Sequence, residues 1–277
     1  MSKIRLGVMA RLEEGADEAL RRVHELGFPT CQMTCWHDDL FTDAAAEEVV
    51  DAMRRYSVEI TTLWTGAPGR YVWDFIEGPS TIGLVPPATR ARRLLALKRG
   101  SDFARRTGIR SITTHVGFIP ENPADPDYAG VVQALKEIAA HCAANGQGFW
   151  FETGQETPVT LLRTMQDVGA ANLGVNLDPA NLLLYGKANP VDALDIIGPF
   201  VRGVHAKDGE YPTEGRHLGQ EKPLGQGRVN FPALIGKLVA LGYEGALTIE
   251  REISGPRQIA DIQAGKRFLE GILEGYK

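Results

Sequence analysis

The feature that most constrains this chain is a strict alternation of short strand-like runs with longer helical patterns, bounded by Gly, Pro, Asn or Asp. The strand-like runs are Leu6–Ala10, Thr30–Trp36, Glu59–Gly66, Arg110–Gly117, Gly148–Gly154, Asn172–Asp178, Val201–Asp208 and Ala246–Glu252. The helical patterns begin near Ala16, Thr42, Pro87, Asp127, Pro158, Pro190, Phe231 and Pro256. Parallel strands need crossover connections, which a helix between successive strands supplies. The alternation therefore predicts a parallel sheet built from eight strand–helix units.

Eight such units close naturally into a (β/α)8 TIM barrel, an α/β fold of about 250 residues. The units use up the 277 residues, so we predict a single domain over residues 1–277. The alternative is an open doubly wound sheet. That fold is disfavoured because the segment Val8–Leu12, after the first strand, is not a glycine-rich phosphate loop.

The composition excludes several classes of protein. With 43% hydrophobic and 23% charged residues, the chain matches an ordinary soluble globular protein. Thirty Lys and Arg residues against thirty-five Asp and Glu residues leave a formal charge of −5, which gives no general attraction to nucleic acid or anionic lipid. No apolar run approaches the roughly 20 residues that cross a bilayer. We therefore expect neither a nucleic acid nor a membrane as partner.

The cysteines and the N-terminus predict a cytoplasmic protein. Cys31, Cys35 and Cys142 are odd in number and lack CxxC spacing, so we interpret them as buried, reduced thiols. Met1–Lys3 leads directly into the apolar-rich segment Ile4–Ala10, which is too short and too interrupted for a signal peptide.

Four consecutive strand-like runs carry an acid or an imidazole near their C-terminal ends, at the end of the barrel where chemistry collects. These residues are Glu152, Asp178, His205 and Glu250. Three carboxylates in one cavity repel each other unless a cation compensates them. A set of oxygen donors with one imidazole favours Mn²⁺, with Mg²⁺, Co²⁺ and Zn²⁺ as alternatives. Isolated salt bridges to Arg251 or Lys207 would explain one such acid, but explain four consecutive strand ends less well.

Several segments resemble the xylose isomerase-like TIM barrel superfamily, and within it the sugar phosphate isomerase/epimerase family, which is related to ketose 3-epimerases and inosose dehydratases. The segments are Phe151–Thr157, Asn176–Asn181, Val204–Asp208 and Thr248–Glu252, with the loop Pro223–Phe231. The resemblance covers the whole chain and is strongest from residue 150 onward. It implies that Glu152, Asp178, His205 and Glu250 hold one divalent metal ion per chain, with Glu152 and Glu250 as the catalytic acid/base pair.

The resemblance further implies an isomerase or epimerase of a small sugar or keto-polyol. The metal would polarise a carbonyl and stabilise the enediolate that forms when the neighbouring carbon loses a proton. Return of the proton to the opposite face gives epimerisation, and return to another carbon gives isomerisation. Loss of a β-hydroxyl gives dehydration, so a dehydratase or lyase acting on an inosose or keto-sugar is the main alternative. Barrels of this family often pair through their outer helices, which implies a homodimer.

Five further residues are candidates for substrate binding: His115, Glu156, Trp64, Asn181 and Lys207. His115 could donate to a sugar hydroxyl, and Trp64, like Trp36, could present a flat apolar wall to a sugar ring, although core packing explains the tryptophans equally well. Glu156 resembles a family acid that contacts substrate or orients a ligand, and a structural role is an equal alternative. Lys207 could donate a cationic hydrogen bond or balance the acid cluster.

Two departures from the ketose 3-epimerases leave the substrate undetermined, and a cyclic polyol is one of the alternatives. Asn181 stands where those enzymes carry a histidine, and Asp208–Tyr211 lacks their arginine. The superfamily also contains nucleases that resemble apurinic endonuclease IV and bind three zinc ions, but this chain lacks several of their histidines, with Trp64 in place of one. A non-catalytic sugar-binding barrel is disfavoured because both candidate acid/base glutamates are present.

Overall fold

The computed structural model describes residues 3–276 and shows a closed barrel of parallel strands. The barrel strands are β1 Arg5–Arg11, β2 Thr30–Cys35, β3 Glu59–Thr65, β4 Ser111–Thr114, β5 Gly148–Glu152, β6 Leu173–Leu177, β7 Val201–Ala206 and β10 Ala246–Ile249. Neighbouring strands follow one another along the chain, and β1 pairs with β10 to close the ring. A small antiparallel hairpin, β8 Asp208–Gly209 with β9 Glu221–Lys222, stands outside the barrel. The predicted single-domain (β/α)8 fold is confirmed.

Helices connect the strands on the outside of the barrel. They are α1 Ala16–Glu25, α2 Asp43–Tyr56, α3 Gly78–Thr81, α4 Pro87–Thr107, α5 Pro126–Ala144, α6 Pro158–Val168, α7 Pro179–Leu184, α8 Pro190–Ile197, α9 Phe231–Ala240 and α10 Pro256–Glu274. All the predicted helices are present, and the Thr42 hydroxyl caps α2 by accepting from the Ala45 N–H at 3.2 Å. The short helices α3 and α7 were not predicted, because fewer than two turns leave no readable period.

Seven of the eight predicted strands extend too far at their C-terminal ends, whereas the first, Leu6–Ala10, stops one residue before the end of β1. The run Arg110–Gly117 is a strand only over Ser111–Thr114, and Ala246–Glu252 only over Ala246–Ile249. Thr114, the last residue of β4, is paired with Phe151 of β5, which continues only to Glu152. The acids and the imidazole of the predicted strands therefore lie in the last residues of β5 and β7 or directly after β6 and β10, at the mouth of the barrel, which is the position a site needs.

The two faces of the strands carry different residues. The outward faces pack an apolar core against the helices, and Leu177, Val204 and Ile249 are all buried there. Successive side chains of a strand point to opposite faces, which separates this core from the barrel interior. The interior of the barrel is instead polar. Its buried residues include Thr30, Gln32, Thr62, Asn176 and Thr248. A buried polar floor therefore lies beneath the mouth of the barrel.

The three cysteines are free and buried, as predicted. Burial raises the pKa of Cys35 and of Cys142 to about 12, so neither is a thiolate at neutral pH. Within residues 3–276, every helix is too short or too polar to cross a bilayer. The prediction on Met1–Lys3 concerns Met1 and Ser2, which lie outside the described residues.

Candidate functional site

The side chains of Glu152, Asp178, His205 and Glu250 meet at the mouth of the barrel. Each offers one ligand atom, and the four atoms lie within 4.8 Å of one another. His205 Nδ1 is 3.2 Å from Glu152 Oε1, 3.2 Å from Glu250 Oε2 and 3.7 Å from Asp178 Oδ2. Within residues 3–276 this is the one such grouping of His, Cys, Asp and Glu side chains. The structure therefore brings together the four residues proposed as metal ligands.

The ends of the strands and one short helix aim these side chains. Glu152 is the last residue of β5, whereas Asp178 immediately follows β6 and is the N-cap of α7. Asp178 Oδ1 accepts from the Asn181 N–H at 2.8 Å, so the carboxylate is fixed by one oxygen and turns the other toward His205. The Thr153 hydroxyl bridges the Asp178 backbone, accepting from its N–H at 2.9 Å and donating to its carbonyl at 3.0 Å.

A pair of buried amides orients His205 from below. Gln32 donates through Nε2 to Asn176 Oδ1 at 2.8 Å, which leaves Gln32 Oε1 2.8 Å from His205 Nε2. The Asn176 amide nitrogen lies 3.0 Å from the same Nε2. With Nε2–H donating to Gln32, Nδ1 is the nitrogen that faces the carboxylates and can bind a metal. Gly203 makes room for this arrangement, since a Cβ at that position would lie 2.4 Å from Asn176 Oδ1.

The donor set fits a divalent cation. Three of its buried atoms, Asp178 Oδ2, His205 Nδ1 and Glu250 Oε2, have no hydrogen-bond partner among the described residues. Buried polar atoms almost always form hydrogen bonds, so three neighbouring atoms without one suit a cation as their common partner. Carboxylate oxygens with a single imidazole match the preferences of Mn²⁺ and Mg²⁺ better than those of a structural zinc site.

Lys207 neutralises only part of the acid cluster. Its ammonium lies 3.4 Å from Glu250 Oε2 and 3.7 Å from Asp178 Oδ2, and it donates to Asn181 Oδ1 at 3.3 Å. Burial lowers the pKa of Lys207, but Glu250 and the other surrounding carboxylates outweigh burial and hold the pKa well above its ordinary value. Lys207 therefore stays positively charged against the carboxylates of the site.

Both candidate catalytic glutamates are ionised. Burial raises the pKa of Glu152, but His115 and His205 together lower it below its ordinary value. Burial also raises the pKa of Glu250, and Lys207 followed by His205 more than reverses that effect. Two buried carboxylates are thus held in the charged form that a metal ligand or a base requires.

Three of the proposed substrate-binding residues contact Glu152 directly. His115 Nε2 lies 3.4 Å from Glu152 Oε1, and the Asn181 amide donates to that oxygen at 3.4 Å. The Trp64 indole N–H donates to Glu152 Oε2. Trp64 was predicted as a flat apolar wall, and its ring does pack on Trp36 at 4.8 Å. Its hydrogen bond to Glu152 is an additional contact that the strand pattern could not show.

The fifth candidate, Glu156, lies away from the cavity. It is 97% buried, so burial raises its pKa to about 8, and it is absent from the residues that line the mouth. Lys207 also stands below the lining, against the acid cluster. The structure adds Gln32, which the sequence analysis missed, although a glutamine between the apolar residues Cys31 and Met33 was a usable signal.

A cavity of about 630 Å³ opens above the acid cluster. Its inner end is lined by Glu152, Glu250, His115, Asn181 and Trp64. The volume falls within the range of roughly 300–1,000 Å³ typical of small-molecule sites. The ligand set is thus reached from solvent through a cavity suited to a small organic substrate.

Known proteins share both the fold and this sequence pattern. The pattern of the xylose isomerase-like TIM barrel family matches residues 20–272. The chain belongs to the xylose isomerase-like TIM barrel family. The resemblance noted in the sequence is thereby confirmed, and the ligand set lies at the mouth of that family's barrel.

The similar proteins span nearly the whole chain. A xylose isomerase domain protein from Planctomyces limnophilus is 35% identical with a TM-score of 0.93, and the match covers 98% of each chain. An uncharacterized protein of Methanocaldococcus jannaschii is 24% identical over 278 residues, covering 95% of this chain and 86% of the relative. The 3-keto-D-glucoside 4-epimerase of E. coli has a TM-score of 0.72 at 19% identity, covering 97% of this chain and 99% of that one, which shows the shared fold.

Proposed function

We propose that this protein is a divalent-metal-dependent isomerase or epimerase of a sugar or keto-polyol, in which Glu152 and Glu250 transfer the proton. The observation that carries the proposal is the pairing of these two ionised carboxylates across His205. Both line the cavity, and β5 and β10 stand three positions apart in the eight-strand ring. The two side chains therefore approach a bound molecule from different sides.

Different residues of the chain would bind the metal and transfer the proton. Asp178 and His205, with the two glutamates, would hold the metal; His205 stays aligned because Gln32 holds its far nitrogen. A bound divalent ion supplies Lewis acidity, polarising the carbonyl of a substrate. One glutamate then takes a proton from the carbon beside that carbonyl. The other returns a proton on the opposite face for epimerisation, or a proton goes to another carbon for isomerisation.

Neighbouring side chains would bind and orient the substrate. His115 and Asn181 line the cavity beside Glu152, and their ring and amide nitrogens suit sugar hydroxyls. Lys207 keeps a positive charge against Glu250, which favours the ionised base. The single four-residue ligand set within residues 3–276 and the acidic charge of −5 both disfavour a three-metal nuclease.

Hydrogen exchange tests this proposal directly. The Mn²⁺-loaded protein is incubated in D₂O with a panel of ketoses, keto-inositols and 3-keto-glycosides, and the products are followed by NMR. We expect deuterium at the carbon beside the carbonyl and a product of unchanged formula, with both lost after EDTA treatment and restored by Mn²⁺. Release of water would instead identify a dehydratase. Full metal occupancy with no exchange in any substrate would identify a non-catalytic barrel.

A further inference from the structure

The cavity extends well beyond the acid cluster. Outside the inner end it continues past Trp36 and Trp73 to Arg11, Glu14 and Ser254. At about 30 Å³ per water-sized group, 630 Å³ holds roughly twenty such groups, whereas a hexose has about twelve non-hydrogen atoms. A single sugar at the acid cluster therefore leaves part of the cavity unfilled, and the lining of that part includes Trp36 and Trp73 as well as apolar residues of α1 such as Ala19 and Val23.

Two exposed tryptophans form one wall of this outer part. Trp36 is 37% exposed and Trp73 is 41% exposed, although side chains of this size are usually mostly buried. Their rings lie 6.3 Å apart at 81°, and Trp73 also packs against His115 at 5.2 Å. The tryptophan wall thus begins beside the inner site and continues outward along the cavity.

The loop that carries Trp73 is held in place from below. The buried Arg93 guanidinium donates to the Gly83 carbonyl at 2.8 Å and to the Arg70 carbonyl at 3.1 Å. The same guanidinium lies 4.4 Å from the ring of Tyr71, which in turn stacks on Trp73 at 5.7 Å and 27°. Fixing an aromatic ring before a ligand arrives reduces the entropy cost of binding. The Trp73 ring is therefore held in position before a ligand binds, unlike a mobile side chain of a loop.

The lining of the cavity also includes polar side chains. Arg11, the last residue of β1, is exposed and takes part in no ion pair among the described residues. Ser254 adds a hydroxyl, whereas the Glu14 carboxylate is paired with Arg22. An exposed indole in a cavity with hydrogen-bonding groups matches a sugar ring, which presents C–H bonds on its faces and hydroxyls around its edge.

We propose that the outer cavity is a subsite for a second sugar ring, so that the substrate is a glycosylated keto-sugar rather than a free monosaccharide. This inference rests on the proposed function, since the reacting sugar lies at the acid cluster. The second ring stacks on Trp73, with the nearly perpendicular Trp36 ring at its edge, and turns its hydroxyls toward Arg11.

Matched sugars test the subsite independently of turnover. D-Fructose is compared with isomaltulose and lactulose, which are fructose units carrying a second ring at different hydroxyls. Affinity for the Mn²⁺-loaded protein is measured by titration calorimetry and by tryptophan fluorescence. We expect at least one disaccharide to bind tenfold or more tightly than D-fructose. Trp73→Ala should reduce that ratio to near one and Trp73→Phe should restore most of it, whereas Ile76→Ala, a control in the same loop, should keep it.

Three outcomes would overturn the subsite. They are equal affinity for D-fructose and both disaccharides, an unchanged ratio in Trp73→Ala, and no binding of any sugar. Hydrogen exchange in D₂O on the same sugars separates this inference from the proposed function. Exchange that is as efficient on D-fructose as on the disaccharides removes the subsite and keeps the isomerase. A tenfold binding preference without exchange on these sugars or on any keto-inositol or 3-keto-glycoside of the wider panel removes the isomerase and keeps the subsite.

Discussion

Gln32 Oε1 lies 2.8 Å from His205 Nε2, on the side of the imidazole opposite the three carboxylates. The contact joins β2 to β7 across the interior of the barrel, and both residues are buried. It determines which nitrogen carries the proton and so which nitrogen can bind a metal. Gln32 is therefore a positioning residue for the candidate ligand His205.

The first prediction is that Gln32→Leu weakens metal binding. Loss of an outer hydrogen-bond partner of a ligand typically costs about 10–100-fold in metal affinity, and Leu keeps nearly the same volume. Titration calorimetry with Mn²⁺ measures the change directly. Gln166→Leu, on the exposed face of α6, is the control and should bind Mn²⁺ like the wild type. Unchanged affinity in a folded Gln32→Leu protein would show that His205 needs no such support.

The barrel and the strand-end acids could be predicted because both depend on local patterns. Alternation of strands and helices implies a parallel sheet, and a parallel sheet places all strand C-termini at one edge. Glu152 and Glu250 stand 98 positions apart in the chain, yet each follows the same local rule at the end of its own strand. Their convergence follows from closing the ring.

The partners within the site could not be predicted, because they depend on geometry across the barrel. Gln32 and His205 are separated by 173 positions, and period-two alternation shows which face each side chain takes but not which side chain it meets. Trp64 was recognised as a wall, but its indole N–H contact with Glu152 depends on a rotamer. The β8–β9 hairpin has strands too short to leave any period in the sequence.

The second prediction concerns the proposed proton-transfer pair. Glu152→Gln and Glu250→Gln should each lower turnover about a hundredfold or more, because general acid/base groups typically contribute that much. Steady-state rates on the substrate found by hydrogen exchange, together with bound Mn²⁺ per chain, measure the effect and separate lost chemistry from lost metal. Glu47→Gln, at an exposed position in α2, is the control. A variant that keeps its metal and more than half its turnover would refute the role of that glutamate.

The third prediction is that Lys207→Met tightens metal binding and destabilises the metal-free protein. Lys207 lies within 3.7 Å of both Asp178 and Glu250, so its ammonium and a bound cation compete for the same carboxylates. Removing a buried charge also leaves its partners uncompensated. We expect Mn²⁺ affinity to rise about tenfold, by calorimetry, and the melting temperature in EDTA to fall. Lys207→Arg keeps the charge and is the matched control; weaker Mn²⁺ binding in Lys207→Met would contradict the competition.

The fourth prediction is that the Asp208 carboxylate stabilises the loop of residues 223–230. Its buried carboxylate accepts from the backbone N–H groups of Gly225, Gly227 and Val229, each at 3.0 Å. Asp208→Asn replaces one acceptor oxygen by a donor and leaves buried N–H groups unpaired, at about 1–3 kcal/mol each. Urea denaturation should show a loss of about 2–4 kcal/mol, and proteolysis should begin within residues 223–230.

Two further variants make this prediction decisive. Gly227→Ala should open the same loop, because a Cβ there would lie 2.2 Å from Asp208 Oδ1. Asp195→Asn removes only an exposed carboxylate paired with Lys237 and should behave like the wild type. If Asp208→Asn and Gly227→Ala leave the loop as resistant as Asp195→Asn does, the carboxylate does not hold it.

The fifth prediction is that buried Glu156 contributes less to the free energy of unfolding as the pH rises. Burial raises its pKa in the folded protein to about 8, above an ordinary value of 4.5. The unfolded chain therefore releases this proton at lower pH than the folded chain, so the contribution of Glu156 to stability is complete below pH 4.5 and declines as the pH rises to about 8. Glu156→Gln cannot ionise and has no such decline.

Urea denaturation of the metal-free protein at pH 5, 6.5 and 8 measures the difference. The unfolding free energy of Glu156→Gln should gain on the wild type as the pH rises, by on the order of 2–4 kcal/mol at pH 8. Glu47→Gln, which removes an exposed carboxyl group, should track the wild type at every pH. Parallel curves for Glu156→Gln and the wild type would mean that Glu156 ionises in the folded protein at its ordinary pKa. In that case the carboxyl must have a cationic or hydrogen-bonding partner strong enough to offset its burial.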